Sequence, residues 1–183
     1  MLTRRSLLLT PPALGLAAVK GRSYSTPSPE FTLELAAGQK INLSSFRGKC
    51  VALEIFKTTC PHCQESMPIV QKLYKEYGPK GFQPLAVAVD QYPATPVAEF
   101  VKRFNITFPV GWASIEDICA FLEIQPQQLY VPTLSTFQRN GRIHARHLAG
   151  EAFFNMQEAN LRNEIEYLLA PPKTAAKKPA KKA

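Results

Sequence analysis

One stretch constrains this chain more than any other. A nearly unbroken apolar run, Val51-Ala-Leu-Glu-Ile-Phe56, is followed three residues later by Cys60-Pro61-His62-Cys63. The run suits a strand buried on both faces. Pro61 fits the first position of a helix. Met67, Val70, Leu73, Tyr74 and Tyr77 then share one helical face, so the pattern predicts a helix from about Pro61 to Tyr77, kinked at Pro68. The two cysteines therefore stand where a central strand hands over to a helix. A helix start offers unpaired N–H groups and the positive end of the macrodipole. That setting is expected to favour a thiolate at Cys60, with a pKa brought into the range of roughly 3.5–7.5 found in such motifs. A protonated His62 adds positive charge nearby. Cys63, about one turn further, can attack a mixed disulfide formed at Cys60, which is the minimal machinery for thiol–disulfide exchange.

The remaining elements build an α/β domain around this core. Phe31 to Leu43 alternates about Gly38 as a hairpin. Leu85–Val89 reads as a second buried strand. Thr95 can cap a helix that has Pro96 first and Val97, Phe100, Val101 and Phe104 on one face. Phe108–Trp112 suits a short strand, and Ser114 opens a helix to about Leu122 in a capping-box-like way. Thr133–Phe137 and Ile143–Leu148 flank Asn140-Gly141, a strong hairpin signal. Leu161, Ile165 and Leu168 mark a last helix. The order hairpin, βαβαβα, hairpin, helix implies a mixed central sheet flanked by helices, with parallel pairs and an antiparallel edge.

Net charge does not indicate a polyanion partner. The total is +8, yet residues 1–25 hold Arg4, Arg5, Lys20 and Arg22 without an acid, and residues 171–183 hold five lysines without an acid. The stretch between carries 13 basic against 14 acidic residues, so neither nucleic acid nor an anionic membrane is expected as a partner. Residues 1–25 read as a signal peptide or leader. Thr3-Arg4-Arg5-Ser6-Leu7-Leu8 resembles a twin-arginine export motif, and the apolar run Leu7–Val19, broken by Pro11-Pro12, falls short of the ~20 residues needed to span a bilayer. Small residues at 15 and 17, or at 23 and 25, offer cleavage sites. Export, as to a bacterial periplasm, is the expectation; a mitochondrial transit peptide is the alternative, because Arg22-Ser23-Tyr24-Ser25 resembles a processing site. Residues 26–170 form the domain. Residues 171–183, rich in Lys, Ala and Pro, have nothing to bury and are expected to be a disordered tail.

Two further positions bear on the dithiol. Glu54 interrupts the apolar strand, where a carboxylate is costly without a partner or a task. If buried, its raised pKa lets it accept a proton from Cys63; the alternatives are an exposed edge or a pair with Lys57. Val131-Pro132-Thr133 opens a strand with a proline, and a cis bond there would set a free backbone edge beside the dithiol, although the ~5–6% frequency of cis X-Pro bonds favours trans on the residues alone. A zinc site would need a second ligand pair. Cys50 and Cys119 are isolated and read as packed small hydrophobes, with a bridge between them an open alternative. His144 and His147, three apart on one strand, are expected on opposite faces. Trp112 reads as core or rim packing.

Val51–Cys63, Pro68 and Val131-Pro132-Thr133 ahead of a hairpin and helix together resemble the thioredoxin fold. The N-terminal hairpin and the helix-bearing insert between Val89 and Pro132 are similar to the exported TlpA/ResA-like branch, over residues 30–170. The resemblance implies a thiol–disulfide oxidoreductase in which Cys60 is the nucleophile, Cys63 resolves, Glu54 is the buried acid, Pro61 and His62 tune the site, and Val131 and the cis-proline Pro132 bind substrate backbone. It implies protein thiol or disulfide substrates, a separate redox partner, no metal or organic cofactor, and a monomer. There are departures. Thr59 replaces the tryptophan that many members carry before the first cysteine. Ser66, beside Glu65, replaces the acid that many branch members carry three residues after the second. The Pro-His pair and the valine before Pro132 resemble DsbA, whose large helical insertion the span from Cys63 to Pro132 is too short to hold. A peroxiredoxin is excluded: three and seven residues before Cys60 stand Lys57 and Leu53, and before Cys50 stand Arg47 and Leu43, where that family needs threonine and proline. The expected direction is reducing. A DsbA-like oxidase is the alternative, as is a metal or copper chaperone using Cys60, His62 and Cys63.

Overall fold

The computed structural model describes residues 22–23, 27–36 and 38–171. Most of the expected leader and the tail beyond Pro171 lie outside the described residues. Among the described residues eight strands form one sheet: β1 Arg22–Ser23, β2 Thr32–Leu35, β3 Lys40–Asn42, β4 Cys50–Phe56, β5 Phe82–Ala88, β6 Val110–Trp112, β7 Thr133–Phe137 and β8 Ile143–His147. Their order is β1-β8-β7-β4-β5-β6-β2-β3. The β4–β5 and β5–β6 pairs are parallel and the others antiparallel. The helices are α1 Pro61–Tyr77, α2 Ala94–Arg103, α3 Ile115–Leu122 and α4 Gln157–Leu169.

β4 is central, with β5 on one side and β7 on the other, and every residue in it is buried. Its alternation divides the core. Cys50, Ala52 and Phe56 join α1, α2 and α4 on one face. Val51, Leu53 and Ile55 join α3 and the β2–β3 end on the other. Each such aliphatic or aromatic side chain contributes about 1.5–3 kcal/mol through burial. The N-terminal hairpin attaches to β6 through β2, and this joint requires glycine: a Cβ on Gly111 would lie 2.3 Å from the Glu34 carbonyl oxygen.

Two local expectations need correction. α2 begins at Ala94 with Pro93 at its cap and no capping side chain, instead of with Thr95 as the cap. Val97 N–H donates to the Pro93 carbonyl at 2.9 Å, and Pro96 costs no hydrogen bond because first-turn N–H groups lack intrahelical partners. His144 and His147 do not face opposite sides. β7 and β8 shift register, with Thr136 opposite Ala145 and Phe137 opposite Ile143, which leaves His144 as the extra residue of a bulge. Both histidines meet α4: His144 stacks on Tyr167 at 5.2 Å between centroids, and His147 Nε2 lies 2.7 Å from Glu164 Oε1.

The opposite face of β8 closes α3. Ser114 caps the start of that helix by accepting the Asp117 N–H at 3.0 Å. The buried Arg146 guanidinium closes its end, donating to the Leu122 carbonyl at 2.8 Å, the Phe121 carbonyl at 3.3 Å and Ser135 Oγ at 3.3 Å. These are carbonyls that a helix cannot satisfy internally. Arg146→Ala is expected to lower stability by roughly 2–4 kcal/mol, read by urea unfolding, because it leaves buried acceptors unpaired. A loss under about 0.5 kcal/mol would show that the guanidinium does not close the helix.

Candidate active site

Cys60 is the N-cap of α1, with extended backbone dihedrals of φ −80° and ψ 120°. Its sulfur plays the part of a capping oxygen, accepting the Cys63 backbone N–H at 3.3 Å. That N–H is one of the orphans a helix start must satisfy, and it points at the sulfur, where the helix start favours negative charge. Across a sequence separation of 71 residues, Cys60 Sγ also lies 3.8 Å from the Val131 carbonyl, to which it donates. The Val131–Pro132 peptide is cis, against the bare frequency and in line with the family resemblance. Pro132 is buried, Val131 half-buried, and the next exposed aromatic, Tyr130, hands its carbonyl to Thr133 Oγ1–H at 2.8 Å.

The two sulfurs differ sharply in exposure. Cys60 is half-buried, whereas Cys63 is 0% exposed. Burial is the main cause that pushes the Cys63 thiol up; its contact with Cys60 and the negative charge of Glu54 push the same way, against a backbone hydrogen bond at Lys57. All four cysteines are free thiols. Cys50 starts β4 in the α1–α4 side of the core, and burial pushes it up to about 12. Cys119 is buried on α3, on the opposite side of the sheet, and burial raises it as well.

Glu54 is buried at 1% exposure and neither sits at an edge nor pairs with Lys57. Burial raises its carboxyl to about 8, while a hydrogen bond from Ser66 pulls the other way. Ser66 Oγ–H donates to Oε2 at 2.7 Å, and Gln157 Nε2–H donates to Ser66 Oγ at 2.6 Å. Oε1 is buried without a hydrogen-bond partner among the described residues. Sequence reasoning treated Ser66 only as a departure from a family pattern. Its spacing of three from Cys63 was a usable signal, because it puts both on the inner face of α1. Gln157 gave no such signal, since its role depends on where α4 docks.

Neighbouring groups hold the loop before Cys60. The Asp90 carboxylate, just beyond β5, accepts both the backbone N–H and the hydroxyl of Thr58. Gln64 Nε2–H donates to the Thr58 carbonyl at 2.8 Å. Pro61 and His62 are exposed, and the His62 ring lies 3.3 Å from Glu65, a pair that charges only when the imidazole is protonated. Trp112 is half-buried against the core. Among the described residues no cluster of three His, Cys, Asp or Glu side chains could hold a metal ion. A groove of about 580 Å³ lined by Pro68, Gln71, Lys75 and Phe104 contains none of the dithiol residues. Only the Cys60 end of the dithiol, beside the exposed Pro61 and His62, reaches the surface.

The comparisons with known proteins agree with this geometry. The Redoxin family model matches residues 24–163. The thiol-disulfide oxidoreductase ResA of Geobacillus kaustophilus is 32% identical over 121 residues, 66% of this chain and 67% of that protein. The protein of the same name from Geobacillus thermodenitrificans is 31% identical over equal shares. A solved thiol:disulfide interchange protein of the thioredoxin family from Chlorobium tepidum superposes with a TM-score of 0.67 at 24% identity, over 83% of this chain and 100% of that one.

Proposed function

The chain belongs to the redoxin family and is a ResA-like thiol–disulfide oxidoreductase of the thioredoxin superfamily; on that footing we propose that it reduces disulfides of protein substrates outside the cytoplasm. The observation that carries the roles is the asymmetry of the two sulfurs: Cys60 reaches the surface at a helix N-terminus, and Cys63 lies buried behind it with its thiol pushed up. Cys60 attacks one sulfur of the substrate disulfide and forms a mixed disulfide. Substrate backbone lies along the Val131 edge exposed by the cis-proline Pro132. Cys63, which burial keeps protonated, needs a base before it can attack Cys60, and Glu54 is that base. Pro61 presets the first helical turn, and His62, when protonated, adds charge at the rim beside Glu65.

The direction turns on how far the reduced form is stabilised, since strong oxidants arise from heavily stabilised reduced forms. A redox titration against glutathione or dithiothreitol is expected to give a potential near the roughly −270 mV of thioredoxin. A value near about −120 mV would overturn the reducing direction in favour of a DsbA-like oxidase. Stoichiometric metal binding without any substrate trapped on Cys60 would point instead to a chaperone.

The extracytoplasmic setting rests on the paired arginines and short apolar run of residues 1–25. Among the described residues no helix is long and apolar enough to cross a membrane. Cleavage after residue 17 suits the sheet better than cleavage after 25, since Arg22 and Ser23 pair with Arg146 and Ala145 as β1. In this reading the catalytic domain takes in β1 and so begins at Arg22, ahead of residue 26, and runs to 170, with 171–183 as a solvated tail.

A further inference from the structure

We propose that Ser66 and Gln157 are positioning residues for the resolution step: the Gln157 amide fixes the Ser66 hydroxyl, the hydroxyl engages Oε2 of Glu54, and Oε1 is left as the atom that takes the Cys63 proton. This rests on Glu54 being the base proposed above.

The argument starts from donor counting. A serine hydroxyl has one proton to give. Gln157 Nε2–H occupies the acceptor side of Ser66 Oγ at 2.6 Å, which directs the serine proton onto Glu54 Oε2 at 2.7 Å. All three side chains are buried, so water does not compete freely for these bonds. The two carboxyl oxygens thereby become unequal: Oε2 is engaged, and Oε1 is buried and unpartnered among the described residues. A carboxyl whose charged form accepts a hydrogen bond is also easier to ionise, and the Ser66 bond does pull Glu54 down against burial.

Among the described residues, burial and Ser66 are what set the Glu54 carboxyl. β5 and β7 set Ala86 and Leu134 opposite Glu54. α4 contributes the neutral Gln157, and α1 contributes the titratable Cys63, which feels the Glu54 charge. In the step itself Cys63 gives its proton to Glu54 Oε1, directly or through one water. Its thiolate forms the Cys60–Cys63 bond as the bond between Cys60 and the substrate sulfur breaks, and the electron pair leaves on the substrate thiolate. The dithiol loses two electrons and the substrate disulfide gains them.

The test combines carbon-13 titration of the Glu54 carboxyl in the reduced protein with single-turnover release of a peptide from Cys60 across pH. Ser66→Ala is expected to move the Glu54 titration upward by about one pH unit and to slow release about tenfold at neutral pH, with recovery at high pH. Gln157→Leu moves both in the same direction by less, roughly threefold in rate, and Ser66→Thr, which keeps the hydroxyl, restores the wild-type profile. An unchanged Glu54 titration in both Ser66→Ala and Gln157→Leu overturns the proposal. Should Ser66→Ala not fold, Gln157→Leu decides it alone, since that change lies in the first turn of α4. Glu54→Gln separates the two levels: release as fast as wild type would sink the base itself, whereas slowed release without a Ser66 effect on the titration sinks only the positioning.

Discussion

Cys63→Ser is expected to leave a protein that captures its substrate and cannot release it. Cys60 keeps its place at the start of α1, its cap bond from the backbone N–H of residue 63 and its exposure, so the first attack proceeds. The second does not, because a serine hydroxyl in that buried position cannot supply the nucleophile that breaks the mixed disulfide. Turnover of a disulfide-bonded protein substrate should fall by about a thousandfold or more. A covalent adduct at Cys60, reversible by excess thiol, should accumulate and be visible by non-reducing electrophoresis and intact-mass measurement. Cys60→Ser should lose turnover to the same degree without any adduct. Equal adduct formation by the two variants would refute the assignment of attacking and resolving sulfur.

The second large effect concerns stability against pH. Folding raises the Glu54 carboxyl from an ordinary 4.5 to about 8, through burial. The folded state therefore binds this proton more tightly than the unfolded chain does. The stabilisation from this group is complete below about pH 4.5 and is lost as pH rises through about 8. Across that window the slope is about 1.4 kcal/mol per pH unit, up to about 5 kcal/mol in all. Glu54→Gln, which cannot ionise, should be nearly flat in this respect and should gain on the wild type by that amount between pH 4.5 and 8. Urea unfolding at half-unit pH steps measures it, and parallel curves for the two proteins would disprove it. The raised Cys63 thiol acts in the same direction only above the ordinary thiol value of 9.0, outside this window. Stability and catalysis thus pull apart at one residue: the carboxyl whose stabilising contribution is lost as pH rises through about 8 is the one proposed as the base for Cys63.

Most elements were legible from short-range pattern. The α1 helix spans Pro61–Tyr77, the bounds its apolar stripe and leading proline indicate. The strand before it and the hairpin at Asn140-Gly141 follow from equally local signals. The misplacements arose where local rules compete. At Pro93–Pro96 two prolines and a threonine each favour a helix start, and backbone geometry chose the earlier one. At His144 a bulge broke the two-residue alternation on which the opposite-face reading depended.

Chain chemistry alone determined that two cysteines sit at a strand-to-helix handover and that an acid interrupts the strand before them, because hydrophobic period, proline at a helix start and the reach of one helical turn act over about a dozen residues. Only the tertiary structure decided what those groups meet. Sheet order brings Val131 to Cys60 across 71 positions. The docking of α4 brings Gln157 to Ser66 across 91, and the bond from Ser66 then leaves one carboxyl oxygen of Glu54 engaged and the other without a partner among the described residues. Such contacts depend on how layers pack, and no short window of residues encodes that packing.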